Sequence, residues 1–348
     1  MTEKTANTPK VSVVSTTYNQ EDYVRKTFDG FVAQQTDFPV EVIVADDAST
    51  DSTPAIIREY TERHPHLFRP IFRPQNLGYK TNLITAMSAA RGQYLAWCEG
   101  DDYWTDPMKL SKQVAFLDRH PNTAICFHPV RVTWEGGRAD DYQFPPARWR
   151  LNLSVEGLLR RNFIQNVSVM YRTLPRYDDV PAAGACFDYY LHLLHAVHGD
   201  IAMLPETMAV YRRHPEGMFY DALVDPAKFW LKHGPGHAAT FDVMIDLLSD
   251  DLVREQIFGE HTGEILRQIG RVPGPQGRAA LLDVMTQHPR LAMVALRYQW
   301  AQTPWRRLKN KISAETSDWR GNVDVHSLRF RRQLRKIKRG IAPQGNAD

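Results

Sequence analysis

Three runs of this 348-residue chain are apolar almost without interruption and then stop on polar or acidic residues: VSVVSTTYNQ (11–20), VEVIVADDAST (40–50) and YLAWCEGDDYWTDP (94–107). Strands without apolar–polar alternation are buried on both faces, as in a parallel sheet covered by helices. The segments between the runs have helical spacing. Tyr23, Val24, Thr27, Phe28, Phe31 and Val32 recur after the first, and Thr53-Pro54 opens a helix through Ile56, Ile57 and Tyr60 after the second. RPIF (69–72) is a short strand, and Leu83, Ile84, Met87 and Ala90 share a helix face before the third run. Right-handed βαβ crossovers put the carboxyl ends of such strands on one rim, where ligands of these sheets bind. Thr16, Thr17, Tyr18, Asn19, Asp46, Asp47, Glu99, Asp101 and Asp102 are therefore predicted to face one crevice.

Acids crowded at a strand end repel one another, and burial raises the cost, so such a cluster persists where a cation or a catalytic duty uses it. A solvated turn is the plainer reading of any single end. Helix starts account for some acids as well: Asp106 and Pro107 read as N-cap and first helical residue. Three successive polar strand ends on one rim favour a bound ligand.

After residue 120 the pattern continues with TAICFHPVRVTW, a helix over Ser154–Arg161, NVSVMYR, the helix FDYYLHLLHAVH and the short strand pair IAML and MAVYRRH, the second half of an α/β domain. From about 226 the chain turns helical, with HGPGH and VPGPQG reading as linkers. The organisation expected is a domain over 1–225 and a mainly helical region with a basic tail over 226–348. Three scattered cysteines, Cys98, Cys126 and Cys186, suggest neither a disulfide framework nor a zinc site, which fits a reducing, cytoplasmic compartment. No apolar run approaches the roughly 20 residues of a membrane span. Net charge is only +3, yet residues 301–348 carry twelve Lys and Arg against four Asp and Glu. Within that tail HSLRFRRQLRKIKRG (326–340) reads as a basic amphipathic segment, suited to peripheral contact with anionic lipid at the inner face of the cell membrane, or equally a solvated terminus.

The ordered set VSVVSTTYNQ, VIVADDASTDST, NLGYKTNLITAMSAARGQYLAWCEGDDYW and MAVYRRHPEG resembles the family-2 glycosyltransferases over roughly residues 10–220. The resemblance implies a GT-A fold, an α/β nucleotide-binding sandwich with a mostly parallel central sheet flanked by helices, here with a helical, basic C-terminal extension. It implies a metal-dependent, inverting transfer of a sugar from a nucleotide-diphosphate donor to a hydroxyl of a saccharide or lipid-linked saccharide, in surface polysaccharide or glycoconjugate synthesis. Nucleobase and ribose would fall on Thr16, Tyr18, Asp46 and Asp47, a role whose alternative for Asp47 is capping of the following helix. Asn76, Gly78 and Lys80 would lie beside the diphosphate. EGDDYW would be the site for Mn2+ or Mg2+. Glu99 stands where Asp is commoner and Gly100 breaks the usual spacing, so Asp102 is taken first, Asp101 as ribose or metal ligand, and Glu99 as a supporting acid. Arg212, Arg213 and His214 would meet the diphosphate, its metal or the acceptor. Asp188 would be the general base, its alternative being a first-turn helix acid. Phe163, Gln165, Asn166 and Ser168 would adjoin the acceptor. His192, His195 and His198, with no acid at metal spacing, read as structural.

Two other function classes bear on the same residues. Seven Lys and Arg within 326–340 could neutralise nucleic-acid phosphates, but the acidic rim and the absence of a recognition motif speak against nucleic acid as the partner. A sugar-nucleotide pyrophosphorylase shares the α/β architecture. Such enzymes resemble one another in a glycine-rich loop after the first strand, where this chain has STTYNQEDY.

Overall fold

The computed structural model describes residues 8–137, 139–177, 186–217, 225–248 and 251–301. Two compact units divide the chain, residues 1–298 and 299–348, and of the second only 299–301 are described. The basic segment 326–340 lies outside the described residues.

The first half follows the alternation read from the sequence. Strands β1 (Val11–Thr17), β2 (Val40–Asp46), β3 (Phe68–Phe72) and β4 (Tyr94–Trp97) are separated by helices α1 (Val24–Val32), α2 (Thr53–Arg63) and α3 (Tyr79–Ser88). β1 and β4 are buried along their whole length, as strands covered on both faces must be. After a two-residue β5 (Tyr103–Trp104) come α4 (Lys109–Arg119), β6 (Thr123–Phe127), β7 (Val130–Trp134), β8 (Tyr142–Phe144), α5 (Val155–Arg160), β9 (Met170–Arg172), α6 (Phe187–Ala196), β10 (Asp200–Met203) and β11 (Ala209–Arg213). The main sheet has the order β10-β6-β9-β4-β1-β2-β3, parallel except for β9, which runs antiparallel to both its neighbours. A second sheet, β5-β11-β7-β8, abuts the rim.

Helices α7 (Pro226–Leu248), α8 (Leu252–Gly270), α9 (Pro275–Gln287) and α10 (Pro289–Ala301) follow. α7 packs on α6 and α8 on α5, and their apolar side chains, Phe241, Met244, Ile257, Phe258 and Ile265 among them, share one core with Ile43, Leu95 and Trp97 of the sheet.

Three local readings change. HGPGH is not a linker but lies inside α7, where Gly234 sits so close to α8 that a Cβ would come within 2.7 Å of Ile269 Cγ1. VPGPQG does separate two helices, with Gly274 at φ +84° and Pro275 opening α9. Asp106 does not cap α4, which begins at Lys109; its carboxylate accepts the Met108 N–H at 2.8 Å in the preceding turn. IAML and MAVYRRH do not pair with each other: β10 extends the main sheet beside β6, and β11 is central to the second sheet.

Candidate active site

A cleft of about 900 Å³ opens at the carboxyl ends of β1, β2 and β4. Thr16 and Thr17 close β1 at its wall, and Tyr18 follows, exposed. At the end of β2 the two neighbouring aspartates part company. Asp46 does not line the cleft; its carboxylate accepts from Thr17 Oγ1 at 3.0 Å and from Ser49 N and Oγ at 3.0 and 2.6 Å, tying β1 to β2. Asp47 lines the cleft, and its Oδ1 accepts the Leu77 N–H at 2.8 Å. Helix capping is not its role, since Asp51 Oδ1 accepts the Thr53 N–H at 2.9 Å instead. Asn76 Oδ1 accepts the Gly78 N–H at 3.0 Å, and Gly78 has φ +84°, a conformation that favours glycine. Lys80 completes this wall, its ammonium lowered by partial burial. Among the described residues only Asn19, Ala48 and Cys186 have positive φ without being glycine, and each adjoins a cleft residue. Backbone strain of this kind collects at functional sites.

The acids after β4 form the floor. Ligand oxygens of Glu99, Asp101 and Asp102 lie within 4.8 Å of one another. Gly100 between them is sterically required: a Cβ would stand 2.3 Å from Gln20 Oε1 and 2.7 Å from Thr17 Cγ2. Thr27 Oγ1 holds the loop from below, 2.8 Å from the Gly100 carbonyl oxygen and 2.6 Å from that of Asp102. Asp102 is buried; that burial, then the charge of Asp101, pushes its carboxyl well above the ordinary range, although its Oδ1 accepts the Arg212 N–H at 2.8 Å. Glu99 is raised as well, by burial first and by Asp101 next, against the hydrogen bond donated by Tyr79 Oη. Mutual repulsion in a partly dry site is what a divalent cation relieves, and an all-oxygen donor set suits Mg2+ or Mn2+. The residues therefore fit such an ion.

β11 presents its arginines differently. Arg212 is spent on the loop, donating from Nε to the Asp101 carbonyl and from a terminal nitrogen to the Tyr23 carbonyl at 3.2 Å, with its guanidinium over Tyr23 and Tyr103. Arg213 stacks on Trp134 and Tyr211, and its Nε is buried with no hydrogen-bond partner among the described residues. His214 Nε2 meets Asp101 Oδ2 at 3.1 Å while its Nδ1 is buried with no hydrogen-bond partner among the described residues. Burial works to lower this imidazole, but the hydrogen bond and charge of Asp101 prevail and raise it.

Asp188 lies in the first turn of α6, as its reading as a helix acid expects, and also lines the cleft. Burial raises its carboxyl, opposed by backbone hydrogen bonds and by Asn162, whose Nδ2 donates to Oδ2 at 3.1 Å. Gln165 and Asn166 line the cleft, whereas Phe163 and Ser168 are buried away from it. His192 and His195 are buried structural residues, Nδ1 of His192 and Nε2 of His195 meeting Tyr171 Oη at 2.5 Å and Tyr177 Oη at 3.2 Å. Tyr79, Asn162, Phe144, Trp149 and Tyr211 also line the cleft and were not singled out from the sequence. For Tyr79 a signal existed, since it sits between Gly78 and Lys80 at the start of α3.

A family model described as Glycosyl transferase family 2 matches residues 12–214. Uncharacterized protein Rv1520 of Mycobacterium tuberculosis is 59% identical over 307 residues, spanning 88% of this chain and 88% of that protein. The solved mannosyltransferase PcManGT from Pyrobaculum calidifontis, in complex with GDP-Man and Mn2+, superposes with a TM-score of 0.53 at 17% identity, over 85% of this chain and 88% of that one. This last likeness is one of fold.

Proposed function

The chain belongs to glycosyl transferase family 2, and from that premise we propose that its cleft takes a nucleotide-diphosphate hexose with Mn2+ or Mg2+ and transfers the sugar, with inversion, to a saccharide hydroxyl. The observation that carries the reading is the convergence of Glu99, Asp101 and Asp102 with Asp188 in one cleft. The fold holds GDP-Man and Mn2+ in the Pyrobaculum mannosyltransferase, which supports both the donor class and the cation.

Thr16, Tyr18 and Asp47 receive the nucleoside, since a carboxylate accepts from an imide N–H or a ribose hydroxyl. Asn76, Gly78 and Lys80 adjoin the diphosphate, glycine allowing close backbone approach and lysine adding charge. Asp102 and Asp101 would hold the cation, with Glu99 and His214 supporting them; bound there, it offsets charge on the departing diphosphate. Arg212 keeps the acid loop in shape, and Arg213, which also lines the cleft, offers its charge to an anionic group. Asp188, ionised, takes the proton of the acceptor hydroxyl as its oxygen bonds to the anomeric carbon and the carbon–oxygen bond to the diphosphate breaks. The nucleoside diphosphate leaves, and the proton remains on Asp188. Asn162 fixes the carboxylate for that step.

No described helix is long and apolar enough to cross a membrane. Lipid-linked acceptors, cytoplasmic residence and peripheral contact through 326–340 complete the reading. The test is turnover of a panel of nucleotide sugars, following nucleoside diphosphate release, with product anomeric configuration read by NMR. Release from one donor, an inverted product and loss of both in Asp188→Asn support the proposal; retention of configuration or full activity in Asp188→Asn refutes it.

A further inference from the structure

One buried side chain outside the cleft is joined to two parts of its wall. Lys109, the first residue of α4, is fully buried; its Nζ donates to Gln113 Oε1 at 2.8 Å and lies 4.3 Å from the centre of a Trp104 ring. Gln113 spends its Nε2 on two carbonyl oxygens, those of Cys126 and Ser168, each at 2.9 Å. Trp104 Nε1 donates to the Val167 carbonyl oxygen at 2.9 Å. Lys109, Gln113, Ser168, Val167 and Trp104 thus close a buried polar ring. Trp104 belongs to β5, two residues beyond Asp102, and packs edge to face on Phe31 at 4.8 Å between centroids. Val167 and Ser168 belong to the turn that carries Asn166, whose Nδ2 lies 3.5 Å from Glu99 Oε1. The ring therefore ties the exit of the acid loop to the turn from which Gln165 and Asn166 line the cleft.

This ring suits an amine better than an ammonium. A buried ammonium has three donors and calls for a carboxylate, and among the described residues no carboxylate pairs with Lys109. The titratable groups that act on it come from neighbouring elements: Cys98 after β4, Cys126 on β6 and His128 beyond β6. Burial pushes both thiols up, Cys126 to about 12, and pushes His128 down, so none of the three is charged near neutral pH. Asp102 of the acid loop also acts on Cys98, but its Oδ1 accepts the Arg212 N–H, and on α4 itself Lys112 pairs with Asp106 at 2.7 Å. Trp104, Phe31 and the turn at Val167 and Ser168 bring no charge. Burial accordingly lowers the Lys109 ammonium to about 7, so its proton comes and goes in the range where the enzyme would work.

We propose that Lys109 is a positioning residue for the transfer reaction: as a free amine it closes the ring that sets the acid loop against the turn of Gln165 and Asn166, and on taking up a proton it loosens that ring and weakens engagement of the donor. Lys109 touches no substrate and acts through Trp104 and Gln113. The kinetic half of the proposal rests on the reading of the cleft as a glycosyltransferase site; the coupling of Lys109 to Asn166 does not, and the experiment separates the two.

The full chain is compared as wild type, as Lys109→Met, uncharged at every pH, and as Lys109→Arg, charged at every pH. Heteronuclear NMR follows the Trp104 indole N–H and the Asn166 side-chain amide from about pH 5.5 to about pH 8.5, and kcat/KM is measured over the same range by nucleoside diphosphate release from a panel of nucleotide hexoses with Mg2+. Expected is a step near about pH 7 in both wild-type resonances that is missing from both variants. One unit below that value only about a tenth of the amine is neutral, so the ratio of kcat/KM at about pH 6 to that at about pH 8 should be up to about tenfold higher in Lys109→Met than in the wild type, with Lys109→Arg slow throughout. Should Lys109→Arg fail to fold, Lys109→Met decides. A purely structural lysine would change the rate without changing its pH dependence; that outcome, or an Asn166 step that persists unchanged in the variants while a donor is turned over, overturns the inference and spares the transferase reading. A step that depends on Lys109 with no donor turned over supports the coupling and strikes the transferase reading; absence of both overturns both.

Discussion

Gly100→Ala tests whether the acid loop owes its shape to a missing side chain. The new Cβ would stand 2.3 Å from Gln20 Oε1, 2.7 Å from Thr17 Cγ2 and 3.3 Å from the Thr16 carbonyl oxygen, where ordinary contact begins at 3.4 Å. The glutamine can move, because its Oε1 has no hydrogen-bond partner among the described residues. Thr17 cannot: it is β-branched, buried, and tied through Oγ1 to Asp46 at 3.0 Å. The loop must therefore shift, at the usual overpacking cost of about 1–3 kcal/mol. For a domain of this size each kcal/mol lowers Tm by about 2–4 °C. The shift moves Glu99 and Asp101, which flank the glycine, so the rise in Tm produced by Mg2+ with a nucleoside diphosphate should shrink beyond what the lower baseline explains. Differential scanning fluorimetry with and without these ligands measures both effects. A Gly100→Ala protein with wild-type Tm and an undiminished ligand-induced rise would refute the steric argument.

Three further outcomes follow from the buried charges. Loss of the Asn162 amide removes a hydrogen bond that favours the Asp188 carboxylate, so Asn162→Ala should move the acid limb of the kcat/KM profile to higher pH; a uniform fall in rate with an unmoved limb would leave Asn162 a purely structural role. Glu99 and Asp102 are raised in the folded chain, so the stability they contribute without cation is present at low pH and is lost as pH rises through their folded values. The Mg2+-induced rise in Tm should accordingly be larger at pH 7.5 than at pH 5.5 (both about), and an equal rise would count against the acids as ligands. Lys109 is buried, 2.8 Å from Gln113 Oε1 and over Trp104, and burial lowers its ammonium to about 7. Its charged form is penalised, and the penalty is complete only once pH has fallen below that value, so Lys109→Met should gain more stability at about pH 6 than at about pH 9 by chemical denaturation.

Much of this was legible because burial on two faces leaves a plain mark. β1, β2 and β4 are largely apolar without alternation, and the rule that ligands bind beyond strand ends puts Thr16, Tyr18, Asp47, Glu99, Asp101 and Asp102 on one rim, where they line one cleft. Finer distinctions depended on geometry that composition does not carry. Asp46 and Asp47 are chemically identical neighbours, and only the course of the chain after β2 turns one toward Thr17 and Ser49 and the other into the cleft. Arg212 and Arg213 part for a simpler reason, since adjacent strand residues point to opposite faces; residue-by-residue alternation along β11 would have separated them. Phe144 ends the three-residue β8, Trp149 lies in the turn after it and Asn162 in the loop after α5, segments too short to show a period, so nothing local announces that they reach the site. HGPGH shows the converse error, a turn signal overridden by the close packing of α7 on α8.

The most direct test of the central claim is calorimetric titration of the full chain with UDP, GDP, dTDP, ADP and CDP, each with Mn2+ and with chelator, in the wild type and in Asp102→Asn. The account predicts that one diphosphate binds with the metal, loses most of its affinity with chelator, and behaves in Asp102→Asn as it does without metal. Binding of no diphosphate, or binding indifferent to both metal and Asp102, would contradict it.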